Sequence, residues 1–245
     1  MDRKLINIIK SESTRFSNFL NDRLDNYVLE FINLLENQTS LYLFSGIIRD
    51  YFINLNDNSS FDIEIRDVDL VYDGQIQIES ILNGHDYEIN SFGGYKVKIG
   101  NYDIDIWNLH DTWGLKKQNL SYEKNSVNYL PKSTFFNFSS ILYSFHDKEF
   151  IVGDPFVQFY KNKEVDFVYK ENPYPELCIV NSIYYSMKRN LKLSENLTTY
   201  LMELYKEIDR KKLQAIQIKH FKEVKINAED FDLFFKEINS NTSIT

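Results

Sequence analysis

Two aspartates one residue apart, Asp67 and Asp69, stand in the run Arg66-Asp67-Val68-Asp69-Leu70-Val71, which reads as a β-strand. Side chains on a strand alternate between faces, so both carboxylates project from the same side. Acids held that close repel and raise each other's pKa unless a cation lies between them. An oxygen-only donor set suits Mg²⁺, which is commonly held by one or two carboxylates together with substrate phosphates. Upstream, Leu41-Tyr42-Leu43-Phe44 reads as a strand that breaks at Ser45-Gly46 and opens a helix carrying Arg49 and Asp50. Backbone N–H groups at Gly46 and at the start of that helix could face a triphosphate.

A third acid comes from a hairpin. The runs 95–99 and 102–107 flank Gly100-Asn101, a two-residue turn signal. On the second run Asp103 and Asp105 share one face, and Ile104 and Ile106 share the other. Placed beside the 67–72 strand, that acidic face would bring a third carboxylate to the first two. Three acids can hold two Mg²⁺ ions. One would lower the pKa of an attacking hydroxyl, and the other would steady a leaving pyrophosphate.

The ordered set Ser45-Gly46-x-x-Arg49-Asp50, Asp67-x-Asp69 and Asp105 resembles the head domain of the bacterial-type poly(A) polymerases and CCA-adding tRNA nucleotidyltransferases. These belong to the DNA polymerase beta-like nucleotidyltransferase superfamily. Their heads carry Gly-Gly-x-x-Arg-Asp, a DxD strand and a later strand ending in an acid. The segment from Thr134 through Asn137 to Tyr143 is similar to the family's Asp-Phe-Thr-x-Asn-Ala, and Gly153-Asp154-Pro155 to its Asp-Pro-Phe-Gly turn. Glu171-Asn172-Pro173, followed by Leu177-Cys178-Ile179-Val180-Asn181-Ser182, resembles the start of its neck helix.

The resemblance implies catalytic metal ligands at Asp67, Asp69 and Asp105, with Asp105 preferred to Asp103 because it aligns with the family's acid. It implies nucleotide contacts at Ser45, Gly46, Arg49, Asp50 and Asn137, and NTP as substrate. Departures from the family pattern fall on the specificity half. Ser45 replaces the first glycine, and Lys132-Ser133 replaces an Arg-Asp pair. The two base-reading neck arginines appear as Cys178 and Asn181, and their acid as Asn172. The expectation is therefore a shortened enzyme, lacking the body and tail that grip tRNA and most of the CCA base-selecting apparatus.

The chain has 245 residues and a formal net charge of -8, which argues against broad nonspecific nucleic-acid binding. The basic stretch Lys206, Arg210, Lys211, Lys212, Lys219, Lys222 and Lys225 is either a solvated helix face or an RNA-backbone contact. With 17 Tyr and 19 Phe the chain is too aromatic to be disordered. Abundant Asn, Lys, Ile and Tyr suggest an AT-rich genome, such as a phage or mobile element. The single Cys178 excludes an internal disulfide and is expected as a buried apolar residue; the four histidines show no ligand spacing. The opening Met1-Asp2-Arg3-Lys4 leads into no long apolar run, so no signal peptide or membrane span is expected, and the location expected is cytoplasmic. Oligomeric state is not legible.

The fold class expected is α+β: a nucleotidyltransferase head with a small mixed sheet flanked by helices over 1–153, then a helical neck-like region over 154–245. Apolar residues from Phe16 to Leu35 recur at helical spacing and predict one long amphipathic helix before the first strand. Strands are expected at 41–44, 67–72, 85–90, 95–99, 102–107 and 149–152, and helices at 47–55, 76–82, 111–117, 175–190, 194–206, 209–220 and 228–238. Residues 56–62 and 118–132 read as loops. Asp67 and Asp69 could be solvated acids on an edge strand; Arg49 could bind phosphate or pair with Asp50; Asn137 could cap a turn or touch a ribose. Trp107 and Trp113 read as core rather than as a stacking platform. The reading is a Mg²⁺-dependent nucleotidyltransferase that moves NMP from an NTP to an acceptor hydroxyl, an RNA (tRNA) 3′ end by family analogy, as a toxin or phage-defence enzyme. The alternatives are a transferase acting on a small molecule or protein, and an inactive nucleotide-binding or interaction module.

Overall fold

A computed structural model describes residues 2–44, 46–55, 63, 65, 67–90 and 92–242. The chain divides into two compact units, Met1–Lys161 and Asn162–Thr245. In the first, the elements run α1 (Arg3–Ser11), α2 (Ser13–Arg23), α3 (Asn26–Glu36), β1 (Ser40–Phe44), α4 (Gly46–Leu55), β2 (Asp67–Asp73), α5 (Ile78–Leu82), β3 (Tyr87–Ile89), β4 (Tyr95–Ile99), β5 (Tyr102–Asn108), α6 (Trp113–Lys117), β6 (Ile141–Ser144), β7 (Glu149–Val152) and α7 (Asp154–Asn162). The expected loop at 56–62 lies outside the described residues.

The N-terminal segment corrects one expectation. The apolar period of 16–35 does not make one helix. Leu24 takes an extended conformation (φ -83°, ψ 142°), and the Asp25 carboxylate accepts the Val28 N–H at 2.9 Å, capping a new helix. The spacing of apolar residues continues through the break, which is why periodicity alone runs the two helices together. A further helix, α1, begins behind Asp2, whose side chain caps it.

The strands form one mixed sheet of seven in the order β3-β4-β5-β2-β1-β6-β7. Among the described residues of this sheet only β2 and β5 pair in parallel; every other neighbour is antiparallel. Alternation gives the sheet two different faces. One face is packed by aromatic residues: Phe16 of α2 meets Tyr51, Tyr143 and Phe150 at 4.9, 5.1 and 5.0 Å between ring centroids. Phe52 of α4 extends that cluster to Phe156 of α7 at 5.3 Å. The other face is divided along the strands. Its far end carries a second apolar cluster of Tyr42, Val71, Leu109, Leu115, Leu130 and Leu142, with Phe44 and Trp107 packed against it. Its near end carries the acids. Trp107 is thus partly buried and packs against this cluster, in line with its reading as a packing residue.

The second unit holds a short parallel pair, β8 (Glu164–Val165) with β9 (Lys192–Leu193), and four helices: α8 (Pro175–Arg189), α9 (Glu195–Glu207), α10 (Arg210–Phe221) and α11 (Ala228–Thr242). The helix starts are chemically marked: Ser194 caps α9 by accepting Leu197 N–H, and Asp209 caps α10 by accepting Lys211 N–H. The turn after α10 closes on Gln217, which is fully buried. Its amide nitrogen donates to the Leu213 and Ile226 carbonyls at 3.1 and 3.0 Å, and its amide oxygen accepts Lys225 and Ile226 N–H, both at 2.9 Å. One side chain thereby satisfies three backbone groups of a turn that no helix or strand can serve.

Candidate active site

The acids meet because β2 lies between β1 and β5. In the parallel register Asp67 stands opposite Asp103 and Asp69 opposite Asp105. The antiparallel register with β1 puts Phe44 opposite Asp69. Phe44 is the last residue of β1, and α4 opens at Gly46 just beyond it. A Cβ on Gly46 would stand 3.8 Å from Asp69 Oδ2 and 4.0 Å from Arg49 Nη2. The start of α4 therefore lies beside the Asp69 carboxylate, close enough that a Cβ on Gly46 would touch both that carboxylate and the Arg49 guanidinium. Ser45, the other half of the turn, is outside the described residues.

The electrostatics follow from this crowding. Asp67 is exposed and Asp69 is half-buried. Burial pushes the Asp69 carboxyl up to about 7, and the charges of Asp105 and Asp67 add to the rise, while Arg49 and Lys96 oppose it. Arg49 also pairs with its neighbour on α4. Its Nε and Nη2 donate to the two carboxylate oxygens of Asp50 at 3.1 and 2.9 Å, and its guanidinium lies 5.4 Å from the centre of the Phe138 ring. Of the two roles open to Arg49 in the sequence, the structure displays the pairing with Asp50. Asn137 is buried in the 3-10 turn Asn137–Ser139, on the same short segment as Phe138.

Asp105 has two partners that the motif analysis overlooked. The Asn90 amide donates to Asp105 Oδ1 at 2.8 Å, and the Lys96 ammonium lies 3.2 Å from Asp105 Oδ2 and 3.8 Å from Asp103 Oδ2. The signal for Lys96 was present. A two-residue turn at Gly100-Asn101 sets Ile99 against Tyr102, Lys98 against Asp103 and Lys96 against Asp105, which is the observed register. Gly100 adopts φ +58°, as that turn requires.

The three acids are oxygen donors of the kind Mg²⁺ takes, on adjacent strands at matching heights. Among the described residues, however, no group of three or more His, Cys, Asp or Glu is gathered tightly enough to hold a metal ion. The Asp105 oxygens are turned to Asn90 and Lys96. The donor types and the raised Asp69 carboxyl fit a cation. The third carboxylate fits one only if Lys96 releases an oxygen.

In the second unit Arg210 pairs with Asp232 at 2.8 and 3.0 Å, while Lys211 and Lys212 lie exposed on α10. Cys178 is buried on α8, its thiol pushed up chiefly by burial, and Ser182 donates to its carbonyl. The Asn172 side chain accepts Tyr174 N–H at 2.8 Å, fixing the entry to α8. Among the described residues no helix is long and apolar enough to cross a membrane.

No protein-family model matches the sequence, and no curated protein matches it. Solved structures do match its fold. A CCA-adding enzyme in complex with CTP superposes with a TM-score of 0.64 at 15% identity, over 91% of this chain and 54% of that one. The Thermotoga maritima CCA-adding enzyme complexed with tRNA gives 0.62 at 16% identity, over 91% and 53%. A tRNA nucleotidyltransferase complexed with a primer tRNA and an incoming ATP analogue gives 0.52 at 19% identity, over 74% and 52%. The chain spans about half the length of these structures, and the likeness is one of fold: a mixed sheet flanked by helices, arranged as in these solved structures.

Proposed function

We propose that the chain is a metal-dependent nucleotidyltransferase that moves NMP from an NTP to an acceptor hydroxyl with release of pyrophosphate. One observation carries the reading. Asp69 stands in register with Asp105, two residues from Asp67, and beside the first residue of α4. A helix start beside paired carboxylates suits a triphosphate, whose charge the backbone N–H groups and the helix dipole favour. Two Mg²⁺ ions, when bound, would activate the acceptor hydroxyl and neutralise the departing pyrophosphate.

The protein's own share is positioning. Asp67 and Asp69 would hold both ions and Asp105 the one nearer the acceptor. Gly46 lets the triphosphate approach the backbone. The Arg49–Asp50 pair and Phe138 brace α4 in place over the sheet. The apolar cluster behind Phe44 and Trp107 lowers the local dielectric and strengthens each of these contacts.

Among the matched structures are complexes with CTP, ATP and tRNA, which supports an NTP as substrate and a tRNA 3′ end as acceptor. Base choice should depart from theirs, because Cys178, at a position where the family reads the base, is buried and apolar. The Asn-, Lys- and Ile-rich composition supports a phage or mobile-element origin and a toxin or phage-defence role. The Lys96–Asp105 ion pair favours a second reading, a nucleotide-binding module without catalysis, since a protein cation already occupies the third acid.

The deciding test incubates the full chain with each α-labelled NTP, Mg²⁺, and either total RNA or total protein. Transfer of label to RNA, lost in Asp67→Ala/Asp69→Ala and in excess EDTA, is the expected result. Label on no acceptor with any NTP would leave the binding-module reading; full activity in the double mutant would overturn the metal site.

A further inference from the structure

The hairpin β3–β4 is wired to the third carboxylate at two points. Asn90 follows β3 and begins the turn into β4. Its side-chain oxygen accepts Phe92 and Gly94 N–H, both at 3.0 Å, and its backbone N–H reaches the Gly94 carbonyl at 2.8 Å. These bonds fix the Asn90 amide plane, so its nitrogen is aimed and not merely near. That nitrogen holds one Asp105 oxygen. The other oxygen faces Lys96, which is one-third exposed and carries its ammonium on a flexible four-carbon stem. Gly94 is packed closely here: a Cβ there would land in the Trp107 indole and 2.7 Å from the Ile106 carbonyl.

We infer that Asn90 is a positioning residue for Asp105, and that Lys96 is a built-in rival to the metal ion at the same carboxylate. This rests on the assignment of Asp105 as a metal ligand. Asn90 would keep Oδ1 in place whether or not an ion is present. Lys96 would neutralise Oδ2 in the empty site and release it when a divalent cation arrives. Outer-sphere partners that orient a ligand commonly change metal affinity by about ten- to a hundredfold. A competing ammonium should act with the opposite sign.

The two roles separate in a titration of the full chain with Mn²⁺ alone, following free Mn²⁺ by electron paramagnetic resonance. Asn90→Ser keeps an oxygen that can accept the turn's N–H groups but cannot reach Asp105. It should weaken binding about tenfold. Lys96→Met should tighten it about fivefold. Lys98→Met removes the same charge from the same face of β4, opposite Asp103 and away from Asp105, and should leave affinity within about twofold of wild type. Asp105→Asn sets the reference: if it binds Mn²⁺ as wild type does, or wild type binds none, the metal-ligand assignment fails and the inference with it. If Asp105→Asn weakens binding while Asn90→Ser and Lys96→Met match wild type, the assignment stands and this inference alone is overturned. Equal tightening by Lys96→Met and Lys98→Met would also overturn it, since that result reports net charge and not competition. Urea unfolding of Asn90→Ser confirms that the variant measured is folded.

Discussion

Asp69→Asn should stabilise the metal-free protein while abolishing transfer. The carboxyl is raised from its ordinary 3.8 to about 7 in the folded chain. At roughly 1.4 kcal/mol per tenfold change, that rise sets a ceiling of about 4 kcal/mol. Asp69 is half-buried, so screening by solvent brings the expectation to about 2 kcal/mol. The sign follows from proton binding. Between pH 4 and 7 the folded chain holds a proton on Asp69 that the unfolded chain has lost, so wild-type stability falls as pH rises through that window. A neutral amide escapes the penalty. The gain of Asp69→Asn should be full at pH 8, less than half as large at pH 5, and nearly absent at pH 4. In EDTA at pH 8 it should appear as about 4–8 °C in Tm for a chain of this size. Millimolar Mg²⁺ should stabilise wild type, leave the variant unmoved and close the gap. A loss of stability at pH 8 in EDTA, or a gain that ignores pH, would refute the crowding of charge on which the site rests.

Gln217→Leu should cost about 2–4 kcal/mol in the second unit, because it strands Lys225 N–H, Ile226 N–H and the Ile226 carbonyl in a buried turn; an unchanged urea midpoint would contradict that account. Gly94→Ala drives a methyl into the Trp107 ring and should cost about 1–3 kcal/mol and shift tryptophan emission, read by fluorescence-monitored unfolding. If the acceptor is RNA, replacing Arg210, Lys211 and Lys212 with Ala should weaken RNA labelling and flatten its salt dependence while NTP binding is unchanged. Part of that effect should come from Lys211 and Lys212, since Arg210 is already paired with Asp232; wild-type labelling at moderate salt would exclude α10 as the docking face.

Most of the elements were legible because their signals are local. The Gly100-Asn101 turn and the alternation in 67–73 each depend on a few neighbouring residues. The alternation also established that Asp67 and Asp69 share a face. It could not establish that β5 would lie beside β2 in parallel, because that neighbour is chosen by the packing of the whole sheet, with β3 and β4 set outside β5. The misread helix at 16–35 failed for a related reason. Leu24 keeps the apolar period, and only the Asp25 side chain, bonded to Val28, decides that the chain turns there. At the site, the acids are legible across β2 and β5, but the other neighbour of β5, which sets Lys96 against Asp105, goes unread.

That omission bears on what a pair of close carboxylates means. Repulsion between acids implies a compensating cation but not which one. At Asp105 the chain supplies its own ammonium from Lys96, whereas at Asp69 the net effect of its surroundings still favours the neutral acid. Lys96 and Arg49 both lower the Asp69 pKa, yet burial and the other two acids outweigh them. The surroundings are therefore uneven across the site: Asp105 faces an ammonium at 3.2 Å, whereas burial and the neighbouring acids prevail at Asp69. A divalent ion has most to gain at Asp69 with Asp67, and must displace Lys96 to engage Asp105 as well. Binding of two ions should therefore be sequential, the tighter at Asp67 and Asp69, the weaker at Asp105. Two Mn²⁺ affinities in wild type, converging when Lys96 is replaced by Met, would express that order; a single class of sites in both proteins would contradict it.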